Sequence, residues 1–226
     1  MTNDGNHKEE EMTLTYILEI MPQVLEGLKV TLEIFALTLI LAIPLGIVVA
    51  VMRTSKSLIL REISGVYVLI MRGTPLLLQI IVIFFGLPIV GITFDRFPAA
   101  ILAFTLNYAA YFGEIFRSGI MSIDDGQVEG AQVLGLSSKN IFFRIILPQA
   151  FKRVIPPVAN EITTLVKDTS LVYVLGLDEM LKIGKMAANR DVSLMPLLIV
   201  GVVYLIVIAI FSQVLKKIED KYDYYK

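Results

Sequence analysis

Long apolar runs, interrupted by short clusters of charge, dominate the chain. A helix needs roughly 20 apolar residues to cross a hydrocarbon layer of ~30 Å. Stretches at about 24–52, 66–90, 98–117, 154–175 and 194–215 meet that length. The pattern predicts an all-α integral membrane fold of about five transmembrane helices. The second stretch has two readings, because Thr74-Pro75 reads as an N-cap followed by a first-turn proline. The span then begins either near residue 66 or at Pro75, the latter leaving 57–71 as an interfacial helix. Pro98 and Pro156-Pro157 are expected to open the third and fourth spans in the same way. Residues 1–23 form a polar leading segment and 24–226 the membrane domain. The leader MTNDGNHKEEEM lacks the basic start and short apolar core of a secretory signal, so the first apolar run is expected to be retained as a span.

Composition agrees: 56% of the 226 residues are hydrophobic, against about 45–50% in soluble domains, and the mean hydropathy is +0.74. Lys and Arg number 20 against 21 Asp and Glu, so no net charge points to nucleic acid. Placement is more informative than the sum. Arg53, Lys56, Arg61, Arg117, Lys139, Arg144, Lys152, Arg153, Lys216, Lys217, Lys221 and Lys226 fall in one set of loops, and only Lys8, Arg96, Lys182, Lys185 and Arg190 in the other. The positive-inside rule puts the first set in the cytoplasm, hence the N-terminus outside and the C-terminus inside. Tyr16, Tyr67, Tyr173, Tyr222, Tyr224 and Tyr225 supply an interfacial belt in the absence of Trp. There is no Cys, and the lone His7 lies in the leader, so no metal site and no imidazole base are expected. No internal repeat of the kind found in two-fold secondary transporters is present. An odd number of spans implies that a second copy or a homologous subunit completes the pathway.

The longest connection, about 118–153, has helix punctuation of its own. Asp124-Asp125 cap a helix through Val128–Leu134, and Gly135 is a C′ stop. Ser137-Ser138 cap a second helix, Asn140–Leu147, which Pro148 is expected to end. The pair is either an unremarkable surface hairpin or a docking knuckle carrying Glu129, Gln132, Leu134 and Leu136.

The run EGAQVLGLSSKNIFFRIILP, Glu129–Pro148, resembles the cytoplasmic loop motif of ABC importer permeases: E-A-A, three residues, G, nine residues, I, one residue, L-P. Glu129, Ala131, Gly135, Ile145, Leu147 and Pro148 fall in register, while Gly130 stands where the middle alanine is usual. RGTPLLLQ (Arg72–Gln79), YAAYFGEIFRSGI (Tyr108–Ile120) and NEITTLVKDTSLV (Asn160–Val172) are similar to the polar amino acid branch of that family. The resemblance covers nearly the whole chain beyond residue 22. It implies a type I importer permease fold in a bacterial cytoplasmic membrane. It also implies cytoplasmic ATPase subunits, a second permease subunit and an extracytoplasmic binding protein as partners, and a polar amino acid as solute. Glu129, Gly130, Ala131, Gly135, Leu136 and Pro148 would then form the ATPase-coupling element. The chain has no G-x-x-x-x-G-K-[ST] loop, and GLSSK at 135–139 lacks the glycine spacing to wrap a triphosphate. It is expected to bind no cofactor and to be no enzyme, with ATP and Mg used by the partner.

Ionisable side chains within a span cost about 2.5–3.5 kcal/mol each on insertion scales, so they usually face a cavity or a partner. Asn107, Tyr111, Glu114 and Ser118 recur on one face of the third span, with Ala99, Ala103, Ala110 and Gly113 giving it a small-residue side. Glu161, Thr164 and Asp168 share a face of the fourth, with Asn160 and Lys167 beside it. Asn107, Tyr111, Asn160, Glu161, Thr164 and Asp168 are the candidate substrate-binding residues. Carboxylates would receive an ammonium, and hydroxyls, amides or backbone N–H groups the carboxylate. Alternatively Lys167 pairs with Glu114 or Asp168 and merely satisfies buried charge. Glu114 and Arg117, three residues apart, are expected to pair internally, and Arg72 to snorkel or cap a loop without touching solute. Unless Lys167 cancels them, Glu161 and Asp168 leave the pocket negative. That favours arginine, lysine or histidine, with a glutamine- or glutamate-type importer as the alternative. A self-contained secondary transporter would carry solute without ATP, and a membrane enzyme lacks the residues for catalysis.

Overall fold

The computed structural model describes residues 3–222, with side chains from residue 14 onward. The side chains of His7 and Lys8, and Tyr224, Tyr225 and Lys226, lie outside the described residues. All regular structure among the described residues is helical.

Helix α1 (Asn3–Arg53) is a single element containing Pro22 and Pro44. No stop separates the polar leader from the first apolar run, so the helix extends beyond the expected span at 24–52. Helices α2 (Leu58–Gly73) and α3 (Leu76–Ile81) follow, α3 continuing through a π segment, Val82–Gly86, and a 3₁₀ turn, Leu87–Val90. Helix α4 (Arg96–Met121) starts after the extended Asp95, with Pro98 in its first turn. Next come α5 (Asp125–Val133), α6 (Ser138–Ile141) with its π continuation Phe142–Ile146, and α7 (Leu147–Asp168) with a 3₁₀ extension, Thr169–Leu175. Helices α8 (Met180–Asp191) and α9 (Met195–Tyr222) complete the chain.

Three of these, Leu14–Arg53, Arg96–Met121 and Met195–Tyr222, are long and apolar enough to cross a membrane, and the bent pair Leu58–Gly73 and Leu76–Val90, counted as one broken span, brings the number to four. The fifth expected span, α7 with its extension, fails on composition because it carries Lys152, Arg153, Glu161, Lys167 and Asp168. It packs among α1, α4 and α9; such shielding by protein is what lets a helix keep charge at membrane depth. Pro156 and Pro157 lie inside α7, so they do not open the span. Pro148 does not end a helix either. It occupies the first turn of α7, which follows directly on the π continuation of α6, so the backbone stays helical through it.

The two arms of the second span meet at 104°. Proline disfavours helical backbone in the residue before it, and Thr74 is accordingly extended (φ −120°, ψ 148°). Thr74 caps nothing in α3: its hydroxyl donates back to the Ile70 carbonyl at 2.7 Å. The structure thus selects the break at Thr74-Pro75 over a continuous span from residue 66.

Helix α1 packs most extensively on α4, and the contact requires glycine. A Cβ on Gly113 would stand 2.6 Å from Val49 Cγ1, and one on Gly46 would stand 2.8 Å from Phe112 Cβ and 3.2 Å from the Ala109 carbonyl. Ala99, Ala103 and Ala110 are buried, as the small-residue side of this helix leads one to expect. At the far end Glu179, 0% exposed, caps α8 by accepting from the Leu181 and Lys182 amides at 2.7 and 2.6 Å, and from Tyr204 Oη at 3.2 Å. Burial still pushes its carboxyl above the ordinary range. Asp191, at the end of α8, is half-buried; hydrogen bonds from Arg190 and then Tyr16 hold it down at about 2.

Gly113→Val should overpack the α1–α4 contact and cost about 1–3 kcal/mol, read as a lower unfolding midpoint in detergent. Gly201→Ala, where nothing lies within 4 Å, should leave the midpoint unchanged or raised.

Candidate functional site

In a continuous helix the Met71 carbonyl would accept from the N–H of residue 75, but residue 75 is proline and has none. Side-chain amides replace it. Gln79 Nε2 and Asn107 Nδ2 each donate to the Met71 carbonyl at 2.9 Å, Gln79 also reaches Thr74 Oγ1 at 2.8 Å, and Asn107 reaches Gln79 Oε1 at 3.0 Å. One residue before Asn107, the Leu106 carbonyl accepts from Tyr67 Oη at 2.5 Å. The broken helix is thereby stapled to α4.

The bend leaves a cavity of about 590 Å³ between the break, α4 and α7, lined by Arg72–Leu77, Asn107, Tyr108, Tyr111, Glu161, Thr164, Asp168 and Leu171. It unites Asn107, Tyr111, Glu161, Thr164 and Asp168. Asn160 is exposed and outside it. Asn107 is 4% exposed and gives its amide hydrogens to the staple. Two wall residues were not foreseen. Tyr108 Oη donates to Asp168 Oδ2 at 2.8 Å; the Tyr108/Tyr111 spacing of three signals a shared face of α4, not this contact. Arg72, expected away from any solute, places its guanidinium carbon 5.0 Å from the centroid of the Tyr111 ring.

A second cavity, of about 430 Å³, lies toward α5 and is lined by Arg72, Glu114, Ile115, Arg117, Ser118, Gly119, Ser122, Arg153 and Pro157. Here Glu114 accepts from Arg117 at 2.9–3.0 Å, as the spacing predicts, and also from Arg53 Nε at 3.0 Å. Arg153 donates to the Ser122 carbonyl. Glu114 is therefore satisfied without Lys167, which is exposed and makes no ion pair within 4.0 Å among the described residues.

The hairpin between α4 and α7 has the geometry its punctuation implies. Asp124 accepts from the Gly126 amide at 2.7 Å, and Ser137 from the Asn140 amide at 3.4 Å. Gly135 has φ +77°; its amide donates to the Gln132 carbonyl at 2.9 Å and the Leu136 amide to Ala131 at 3.1 Å, closing the end of α5. Glu129 and Gly130 are exposed, Ala131 is buried, and Val133 and Leu134 stand 88% and 80% exposed.

A helical membrane subunit with a charged central cavity and an exposed helical knuckle is the architecture of a solute permease. Residues 42–223 match the family described as "Binding-protein-dependent transport system inner membrane component", and the chain belongs to that family. It is 38% identical over 203 residues to the arginine transport system permease protein ArtQ of Bacillus subtilis, covering 89% of this chain and 93% of that one. It is 34% identical over 213 residues to the putative glutamine transport system permease protein GlnP of Rickettsia typhi, covering 92% and 98%. Among solved structures it is similar to an amino acid ABC transporter crystallised with histidines (TM-score 0.87, 28% identity, 92% and 97% covered). The all-α type I permease fold and the membrane-embedded role in amino acid ABC import follow from these relations together.

Replacing Gln79 or Asn107 by alanine should each cost about 1 kcal/mol of stability. Because either amide alone still serves the Met71 carbonyl and only the double variant leaves it bare, the double variant should lose more than the sum, by about 0.5 kcal/mol or more. Denaturant unfolding of the four proteins measures that coupling; strict additivity would mean the staple is not a unit.

Proposed function

We propose that the chain is one permease subunit of an ATP-driven importer whose solute is a cationic amino acid. The observation that carries this reading is the pairing of Glu161 and Asp168 in one cavity with Lys167 outside it. A zwitterionic solute such as glutamine brings one ammonium to two carboxylates at membrane depth, whereas arginine, lysine or protonated histidine brings a second positive group. The resemblance to an arginine permease supports the reading, and the resemblance to a glutamine permease keeps a neutral amino acid as the alternative. Tyr111 and Thr164 complete the polar wall.

The partners proposed are two cytoplasmic ATPase subunits, a second permease subunit and an extracytoplasmic binding protein, with ATP and Mg bound by the ATPases. The chain sits in the cytoplasmic membrane with its N-terminus outside and α5 inside, where the exposed Val133–Leu134 step offers an apolar surface of the kind that marks protein docking. Glu129, Gly130, Gly135, Leu136 and Pro148 shape that element, and Ala131 packs beneath it.

Glu161→Gln, in the complex reconstituted into vesicles, should lower arginine uptake about tenfold, the cost of roughly 1.4 kcal/mol of lost charge interaction, and change glutamine uptake less than twofold. Equal loss for both solutes, or no loss for either, removes the charge argument. Gly135→Val forces a β-branched residue to a positive φ at a cost of about 1–2 kcal/mol and should distort the end of α5. The variant is expected to insert normally, to hydrolyse ATP and to fail to couple that hydrolysis to uptake. Wild-type uptake per ATP in this variant would refute the docking role.

A further inference from the structure

We propose that the base of α7 is the cytoplasmic exit gate of this subunit, hinged at Pro156-Pro157 and latched by Arg153, so that solute leaves between α4 and α7 of one chain. The inference rests on the transport reading above and on the cytoplasmic placement of α5; it does not depend on which amino acid is carried. Three cavities lie in series. The central cavity and the one toward α5 share Arg72. The one toward α5 shares Arg153 with a third, a crevice of about 740 Å³ between α7 and the cytoplasmic end of α9. The partition between these last two is a single stretch of α7, in which Pro156 lines the crevice and Pro157 the inner cavity.

Three contacts close the partition against α4 and the hairpin. Gly119 of α4 lies so near α7 that a Cβ there would collide with Val154 Cγ1 and stand 3.3 Å from the Ala150 carbonyl. Arg153 donates to the carbonyl of Ser122, the residue that ends α4, and Gln149 Nε2 donates to Gln127 Oε1 of α5 at 2.6 Å. The two side-chain ties thus join α7 to the start of the hairpin, so a displacement of α5 pulls on both. Arg153 is the latch, because among the described residues it alone lines both the crevice and the inner cavity. Backbone chemistry weakens α7 at the same place. Each helical N–H serves the carbonyl four residues earlier, but Pro156 and Pro157 have none to give Lys152 and Arg153. Two consecutive rungs are missing, and proline is where helices bend. The part of α7 beyond that hinge carries both Gln149 and Arg153.

The chain has no Cys, so one introduced thiol reports on one place. Ser118 lines the cavity toward α5. Ser118→Cys is carried in the assembled permease–ATPase complex in inside-out membrane vesicles. Its reaction with a membrane-impermeant quaternary ammonium thiosulfonate is read as a mass shift of this subunit. With Arg153 in place the thiol should react slowly. Arg153→Ala should speed the reaction about tenfold, the size set by one charge-assisted hydrogen bond. Arg153→Lys should fall between, and Gln149→Ala should give about threefold, as for a neutral bond. With Arg153 the rate should differ between nucleotide-free and vanadate-trapped complexes, and Arg153→Ala should erase that difference, which loss of a merely structural arginine would not do. Lys217→Cys, exposed on α9, should react at one rate in every variant. Equal rates at Ser118→Cys with and without Arg153, or a nucleotide difference that survives its loss, overturn the gate. If Arg153→Ala does not assemble, Arg153→Lys and Gln149→Ala carry the test, and wild-type rates in both overturn it. The labelling pattern without any amino acid uptake by the complex counts against the transport reading alone.

Discussion

One missing hydrogen shapes the centre of this molecule. Pro75 has no N–H to give the Met71 carbonyl, and a backbone acceptor left unmatched at membrane depth costs several kcal/mol. Gln79 and Asn107 supply the donors from two different helices. The second span can therefore break and turn through 104° without leaving a bare acceptor. That turn makes room for the cavity, sets Arg72 at its edge and ties the broken helix to α4. Asn107, which looks from its spacing like a solute ligand, is first of all part of this joint.

The intramembrane charges separate into two groups by how many partners they have. Glu114 lies between Arg53 and Arg117, 13% exposed and fully engaged, so it holds the ends of α1 and α4 together. Glu161 has no ion-pair partner among the described residues, and Asp168 accepts from Tyr108. Unmatched carboxylates are tolerated only beside a polar cavity, and here they share one with Arg72. Helix α7, which presents both, is also the helix too charged to qualify as a span by composition. Its polarity and its place inside the bundle are one fact seen twice.

At the two ends of the bundle the backbone is closed by local devices. Gly135 takes the positive φ that ends α5 and turns Val133 and Leu134 outward. Glu179, wholly buried, caps α8 and reaches Tyr204 on α9. The first device leaves an exposed surface for a partner and the second locks helices together, although both serve the same need to satisfy terminal backbone groups.

What the sequence by itself determined is whatever depends on local backbone chemistry and on one-dimensional pattern. Apolar run length predicted the helical membrane fold. Gly135, Asp124 and Ser137 marked the hairpin, and the i, i+3, i+7 placement of Glu161, Thr164 and Asp168 marked one face of α7. Proline was read less well. Pro148 and Pro156-Pro157 looked like boundaries, yet α7 runs through all of them, because a proline's effect depends on which carbonyl it orphans and whether something else can serve it. Only the tertiary structure decided which charges meet. Arg53 and Glu114 are 61 residues apart, Tyr108 and Asp168 60. Arg72 enters the cavity through a bend whose angle is set by residues on another helix. Spacing along one helix reveals a shared face; it carries no information about what another helix brings to that face.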